Sequence, residues 1–122
     1  MTTSRRRLGR KGEDIARRRL ESDGYSVLHV NYRVGRLEID LVAEKDGVLV
    51  FVEVRTRKGR GFGPPEESIT PAKQSHLVDA AQAYLQAHGA TTRDWRIDVV
   101  VLNLGSQGRV LRLDVIENAV EA

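Results

Sequence analysis

The spacing of apolar and polar positions along the chain predicts two helices and five strands. From Leu8 to about Asp23, the positions Leu8, Gly12, Ile15, Ala16, Arg19 and Leu20 recur at the period of one helix face, and Gly24 is a natural stop. Tyr25 to Arg33 reads as a strand, with Tyr25, Val27 and His29 on one side and Ser26, Leu28 and Val30 on the other. Leu37, Ile39, Leu41 and Ala43 then alternate with Glu38, Asp40, Val42 and Glu44. After the turn dipeptide Asp46-Gly47, a run from Val48 to Arg57 is dense in Val, Leu and Phe, so residues 36–57 form a hairpin. Residues 58–69, with three glycines and two prolines, predict a mobile loop with no regular element. Thr70 and Pro71 are a suitable N-cap and first helical residue. Leu77, Ala80, Ala81, Tyr84, Leu85 and His88 then repeat at helical spacing until Gly89. Trp95 to Leu104 is apolar enough for a central strand, Gly105 to Gly108 turns, and Val110 to Ile116 alternates as an edge strand. The order α-β-β-β-α-β-β predicts an α/β fold, a mixed five-stranded sheet flanked by helices.

The hairpin carries the chemistry. With Asp46-Gly47 at the tip, Lys45 faces Val48, and the same register sets Asp40 opposite Glu53 and Glu38 opposite Arg55, both pairs on one face. Opposed residues have Cβ atoms about 4.5–5.5 Å apart, where like charges destabilise a sheet. Either a divalent cation compensates, Mg²⁺ being content with one or two carboxylates, or Arg55 or Arg36 neutralises Glu53, or the acids face water in another register. Glu53 lies between Val52 and Val54 in the most apolar run of the chain, where an unpaired charge is costly.

At 122 residues the chain is long enough for one hydrophobic core, and a single domain over 1–122 is expected, with 1–7 as a disordered basic tail. No run approaches the length of a membrane span, which predicts a soluble cytoplasmic protein with no membrane partner. The absence of cysteine excludes disulfides and thiolate metal sites, and His29, His76 and His88 are too scattered to suggest a zinc site. Net charge is only +3, but its distribution is uneven. Arg5, Arg6, Arg7, Arg10, Lys11, Arg17, Arg18 and Arg19 crowd the start, and Arg55, Arg57, Lys58 and Arg60 follow the acidic hairpin. Basic groups on either side of a carboxylate cluster suit a polyanion held while one phosphate reacts; the plainer reading is a solvated basic surface.

An Asp on one strand and Glu-x-basic on the next, here Asp40 and Glu53-Val54-Arg55, is the outline of the PD-(D/E)xK nuclease site. More closely, the chain resembles the YraN family of small bacterial endonuclease-like proteins. The resemblance runs from about Gly9 to Val115 through Gly12-Glu13, Asn31-Tyr32-Arg33, Glu38-Ile39-Asp40-Leu41, Phe51-Val52-Glu53-Val54-Arg55, Phe62-Gly63, Lys73 and Arg96-Ile97-Asp98. It implies a restriction-endonuclease-like core, similar in outline to archaeal Holliday-junction resolvases, in which a helix-borne Glu joins the strand acids at the metal; that position maps onto Glu13. Resolvase-like relatives act as dimers, which implies a homodimer. Two positions depart from the pattern: Leu37 replaces the usual Gly before the first motif, and Arg55 replaces the usual Lys. An Arg stabilises charge but does not act as a base.

The resulting expectation is a Mg²⁺- or Mn²⁺-dependent nuclease acting on DNA, branched or single-stranded. Asp40, Glu53 and Glu13 would hold the metal, and Arg55 would orient water or stabilise the transition state. Arg10, Lys11, Arg36, Arg57, Lys58, Arg60 and Lys73 would hold nucleic acid, with Lys73 alternatively turning its ammonium toward the acids in place of the motif Lys. The competing expectation is a nucleic-acid-binding protein that keeps the nuclease frame without the chemistry.

Overall fold

A computed structural model of the chain describes residues 2–120, with side chains over residues 9–120. Its elements follow in the order α1 (Thr2–Ser22), β1 (Ser26–Val34), β2 (Leu37–Lys45), β3 (Val48–Lys58), α2 (Pro71–Ala87), β4 (Trp95–Leu104) and β5 (Val110–Ile116). The expected α-β-β-β-α-β-β order holds. The helix starts at Thr2 rather than near Leu8, so it takes in backbone expected to be a disordered tail, as suits a run rich in Arg. Met1 and the side chains of residues 1–8, including Arg5, Arg6 and Arg7, lie outside the described residues.

The strands form one sheet in the order β1-β2-β3-β4-β5, all neighbours antiparallel except β3 and β4, which run parallel. That parallel pair is what α2 is for, since parallel neighbours need a crossover. Alternation on β3 then sorts the core into two layers. Val50 and Val52 pack with Ala16 and Leu20 of α1, while Leu49 and Phe51 pack with Leu77, Ala81 and Tyr84 of α2. The helices therefore cover opposite faces. On α1 the inward side is Gly12, Ala16 and Leu20; Arg19, expected on that side, is exposed and pairs with Asp23.

Three expectations need correction. Leu28 is an extra residue in β1, where the partners step from Val27–Ala43 to His29–Val42, so Val27 stays on the α1 layer while His29 turns to Tyr84 of α2. Glu38 does not face Arg55: it pairs across β1 with Arg33, 3.4 Å away, because β2 leaves β3 before reaching that level. Segment 58–69 is not irregular throughout, since two prolines preset φ for a 3₁₀ turn at Pro65–Ser68. Pro65 and Ile69 are buried there, Ile69 against Val99 and Val101.

Candidate functional site

The site lies where β2 and β3 part company. The hairpin turns on Asp46 and Gly47, both at positive φ, and its ladder runs in the expected register from Lys45–Val48 to Leu41–Val52. The next level would be Asp40 and Glu53. There the alternation of β2 breaks: Ile39 packs in the α2 layer, yet Leu41, two residues on, packs in the α1 layer. Across β1 the pairs Val30–Leu41 and Tyr32–Ile39 leave Asn31 facing Asp40, and Asn31 has φ of 51° inside a strand. The double irregularity frees Asp40 to swing onto β3, where its Oδ2 accepts a hydrogen bond from the Val54 N–H at 2.8 Å. A side-chain carboxylate thus stands in for a ladder carbonyl and satisfies a buried backbone donor.

Glu53 is only 4 % exposed and faces the α2 side with Leu49 and Phe51. Its charge bears directly on the Asp40 carboxyl. Asp40 is pushed up to about 8, first by burial and then by the Glu53 charge, with Glu13 adding to the rise and the Val54 N–H opposing it. Two cations answer Glu53: Lys73 Nζ lies 3.1 Å from Oε2, and Arg55 Nη1 lies 3.9 Å from the same oxygen. Lys73 is placed by the cap of α2, where Thr70 Oγ1 accepts a hydrogen bond from the Lys73 N–H at 3.2 Å. A cation in a helix's first turn opposes the macrodipole at about 0.3–1 kcal/mol, and the pairing with a buried carboxylate offsets that cost.

Glu13 rides on α1, on the opposite face from Lys73. It is there because α1 comes unusually close to β3: a Cβ on Gly12 would overlap Thr56 Oγ1 and stand 3.1 Å from the Thr56 Cβ. Glu13 is half-buried and raised from its ordinary value mainly by burial, with Glu38 and Glu53 adding to the rise and a hydrogen bond from Asn31 opposing it. Arg10, Glu13, Arg17 and Asn31 line a small cleft of about 150 Å³ beside it. Glu13 is therefore within electrostatic reach of the strand acids. Among the described residues, however, no three acidic or histidine side chains stand together as a ready metal cage. The structure brings Asp40, Glu53 and Lys73 into one group, sets Arg55 at its rim, and keeps Glu13 one shell away.

The fit to a divalent cation can be judged from this donor set. Asp40 uses Oδ2 on the Val54 N–H and keeps Oδ1 for another partner, while burial and the Glu53 charge hold its carboxyl above the ordinary value. Two carboxylates, with waters and phosphate oxygens for the rest, are a normal complement for Mg²⁺, so the residues fit the ion.

The other expected contacts disperse. Arg57 donates from Nε to Asn103 Oδ1 at 3.0 Å and lays its guanidinium over the Phe62 ring, 4.6 Å from the centroid. Lys58, Arg60 and Arg36 are exposed, as is Arg10. Lys11 instead rests against the Ser106–Gly108 turn, with Nζ 3.5 Å from the Gln107 carbonyl. Arg17, Arg18 and Arg19 are paired along α1 with Glu21, Asp14 and Asp23, which removes them from the free basic surface. Asp98 is fully buried and structural: it takes the Tyr25 hydroxyl at 2.7 Å, Arg96 at 3.0 Å and the Asn118 N–H at 2.9 Å. Sequence reasoning missed Asn31, whose only advance signal was its place in the family pattern. It also missed the grouping of His29 and His88 with Tyr32 and Tyr84, where the Tyr84 and His88 rings stack at 3.9 Å.

Comparison with known proteins bears on the family. The model described as "Uncharacterised protein family UPF0102" matches residues 12–102. A UPF0102 protein of Roseiflexus castenholzii is 48% identical over 122 residues, covering 99% of this chain and 98% of that one. Another, of Symbiobacterium thermophilum, is 45% identical, covering 96% and 98%. Among solved structures the chain is similar to Pyrococcus furiosus SfsA in complex with Ca²⁺. There the identity is 17%, the coverage 96% of this chain and 65% of that one, and the TM-score 0.38, too low to support an argument.

Proposed function

The chain belongs to the uncharacterised protein family UPF0102, and from that premise and the acidic pair we propose that it is a divalent-metal-dependent nuclease acting on DNA phosphodiesters. The observation that carries the reading is the convergence of two carboxylates from neighbouring strands, Asp40 held on the Val54 N–H and the buried Glu53 beside it on β3. A pair so arranged is a standing demand for positive charge. Mg²⁺ or Mn²⁺, when bound, would supply that charge, acidify a water and offset charge building on the phosphate.

The chain's own residues do the remainder. Val54 fixes the Asp40 carboxylate through its N–H, and Lys73 orients Glu53 while remaining partly exposed on the side from which a phosphate would come. Arg55, with 44% of its side chain exposed, is free to meet a phosphate oxygen and neutralise charge there. In this reading Lys73, 3.1 Å from Glu53, takes over part of the role of the motif Lys, and Glu13 tunes Asp40 through space. Arg57, Lys58 and Arg60 continue the positive surface away from the acids for the flanking backbone.

The test uses purified protein with branched, flapped and single-stranded DNA, with Mg²⁺, with Mn²⁺ and with chelator. Asp40→Asn and Glu53→Gln are expected to abolish metal-dependent cutting while sparing DNA affinity; cutting that survives either change overturns the assignment. The Arg at position 55 favours one other reading, a nucleic-acid-binding protein without chemistry. Binding by the unaltered chain with no metal-dependent cutting of any substrate selects that one.

A further inference from the structure

Phe62 is the most exposed large apolar side chain among the described residues. It is 47% exposed in a loop that leaves directly from the strand carrying Glu53. The loop is held at both ends. The Gly59 N–H donates to the Leu104 carbonyl at 2.8 Å, and the buried Pro65 and Ile69 fasten the far side. Phe62 is thus presented by an anchored segment. Arg57 lies over the ring with its centroid 4.6 Å from the guanidinium carbon, and Arg57 is itself held by Asn103. Cation and ring stay together while the rest of the ring faces solvent.

Alternation places this pair in line with the site. β3 pairs with β4 without interruption from Leu49–Trp95 to Lys58–Leu104, so Glu53, Arg55 and Arg57 point to one face. At about 3.3 Å per residue, Arg57 stands roughly 13 Å along the strand from Glu53. The row leads from the acids, over a rim arginine, to an arginine-backed aromatic plate. A deoxyribose-phosphate chain laid along it would meet positive charge first and a ring at the end. A duplex keeps its bases stacked inside and has none to offer that ring, whereas a single strand does.

We propose that Arg57 and Phe62 form a stacking subsite for an unpaired base, which makes single-stranded DNA, or the frayed strand of a branched molecule, the ligand class of this surface. The inference rests on the nucleic-acid reading above but not on cutting, so it is tested with chelator present. Fluorescence anisotropy would compare the unaltered protein, Phe62→Ala and Phe62→Trp on oligo(dT), on a duplex of equal length and on an abasic strand of equal length. Phe62→Ala is expected to weaken oligo(dT) binding about tenfold, the range of one lost base stack, and to leave the duplex and the abasic strand unchanged. Phe62→Trp is expected to restore the affinity. A 2-aminopurine placed in the strand should be quenched by the unaltered protein and not by Phe62→Ala. Equal losses on all three ligands, no loss on any, or failure of Trp to restore binding overturns the subsite. A protein that shows the base-specific loss yet never cuts with Mg²⁺ refutes the nuclease alone; one that cuts while its binding ignores Phe62 refutes the subsite alone.

Discussion

Lys73 Nζ lies 3.1 Å from Glu53 Oε2, closer than the Arg55 guanidinium at 3.9 Å, so the nearest cation to the buried acid comes from a helix and not from the strand motif. Lys73→Met is therefore expected to lower single-turnover DNA cleavage more than Arg55→Met does. A loss of about a hundredfold is typical when one preorganised donor is removed. Equal effects of the two changes in quenched-flow assays would return the role to the strand.

The raised Asp40 ties folding to pH. Its folded-state value of about 8 lies above the ordinary carboxyl value, so the folded chain holds a proton that the unfolded chain has released. The contribution is complete below the ordinary Asp value and is lost as pH rises through about 8. Without metal, thermal stability should decline across that window, and Asp40→Asn should flatten the decline. Glu53 and Glu13 face Asp40, with Lys73 and Arg55 on Glu53, so a melting series for each variant separates their shares. Mg²⁺ competes with the proton, and its stabilising shift should be larger at pH 8.5 than at pH 6 on the order of several degrees.

Gly12 sets how near α1 comes to the sheet. Gly12→Ala gains helix propensity, about 1 kcal/mol, but drives a Cβ into Thr56 Oγ1. Overpacking of that kind costs about 1–3 kcal/mol. The net expectation is a small destabilisation by urea melting, together with a loss of activity as Glu13 is pushed off the acids. Thr56→Ala should recover part of both, and a double-mutant cycle measures the coupling.

Asp98 is as deeply buried as any of the described residues, yet its partners are the Tyr25 hydroxyl, Arg96 and the Asn118 N–H. Burial and the Asp98 charge hold Tyr25 well above the usual phenol range, so its hydroxyl remains a donor. Asp98→Ala strands Arg96 and should cost about 3–5 kcal/mol in denaturant unfolding. Affinity for Mg²⁺, read by calorimetry under conditions where the variant is folded, should not change.

The order of elements along the chain, the hairpin register and the capped start of α2 were legible in the sequence, because each rests on local chemistry. Asp46-Gly47 fixes the turn and hence the facing of Lys45 and Val48, while Thr70-Pro71 fixes the helix start and hence Lys73. What stayed hidden is non-local. The break at Asp40 depends on Asn31 adopting a positive φ in a different strand, and apolar neighbours on both faces erase the period that would reveal it. His29 changed sides for a related reason, the extra residue Leu28. The pairing of Arg17, Arg18 and Arg19 with acids one turn away was readable from their spacing, but counting charge by segment passed over it. The presentation of Phe62 was not legible either, because the count of glycines and prolines conceals that the loop is pinned at both ends.

If the proposed function holds, the bond from the Val54 N–H to Asp40 makes one carboxylate both instrument and masonry. Truncating it to Ala would orphan a main-chain donor and loosen the seam between two strands, so a dead Ala variant would say as much about architecture as about reactivity. Asn keeps an oxygen for that donor and discards only the group that can ionise. By the same logic, a descendant that gave up the chemistry would still need an acceptor at this position, and would go on looking like an enzyme after it had ceased to be one.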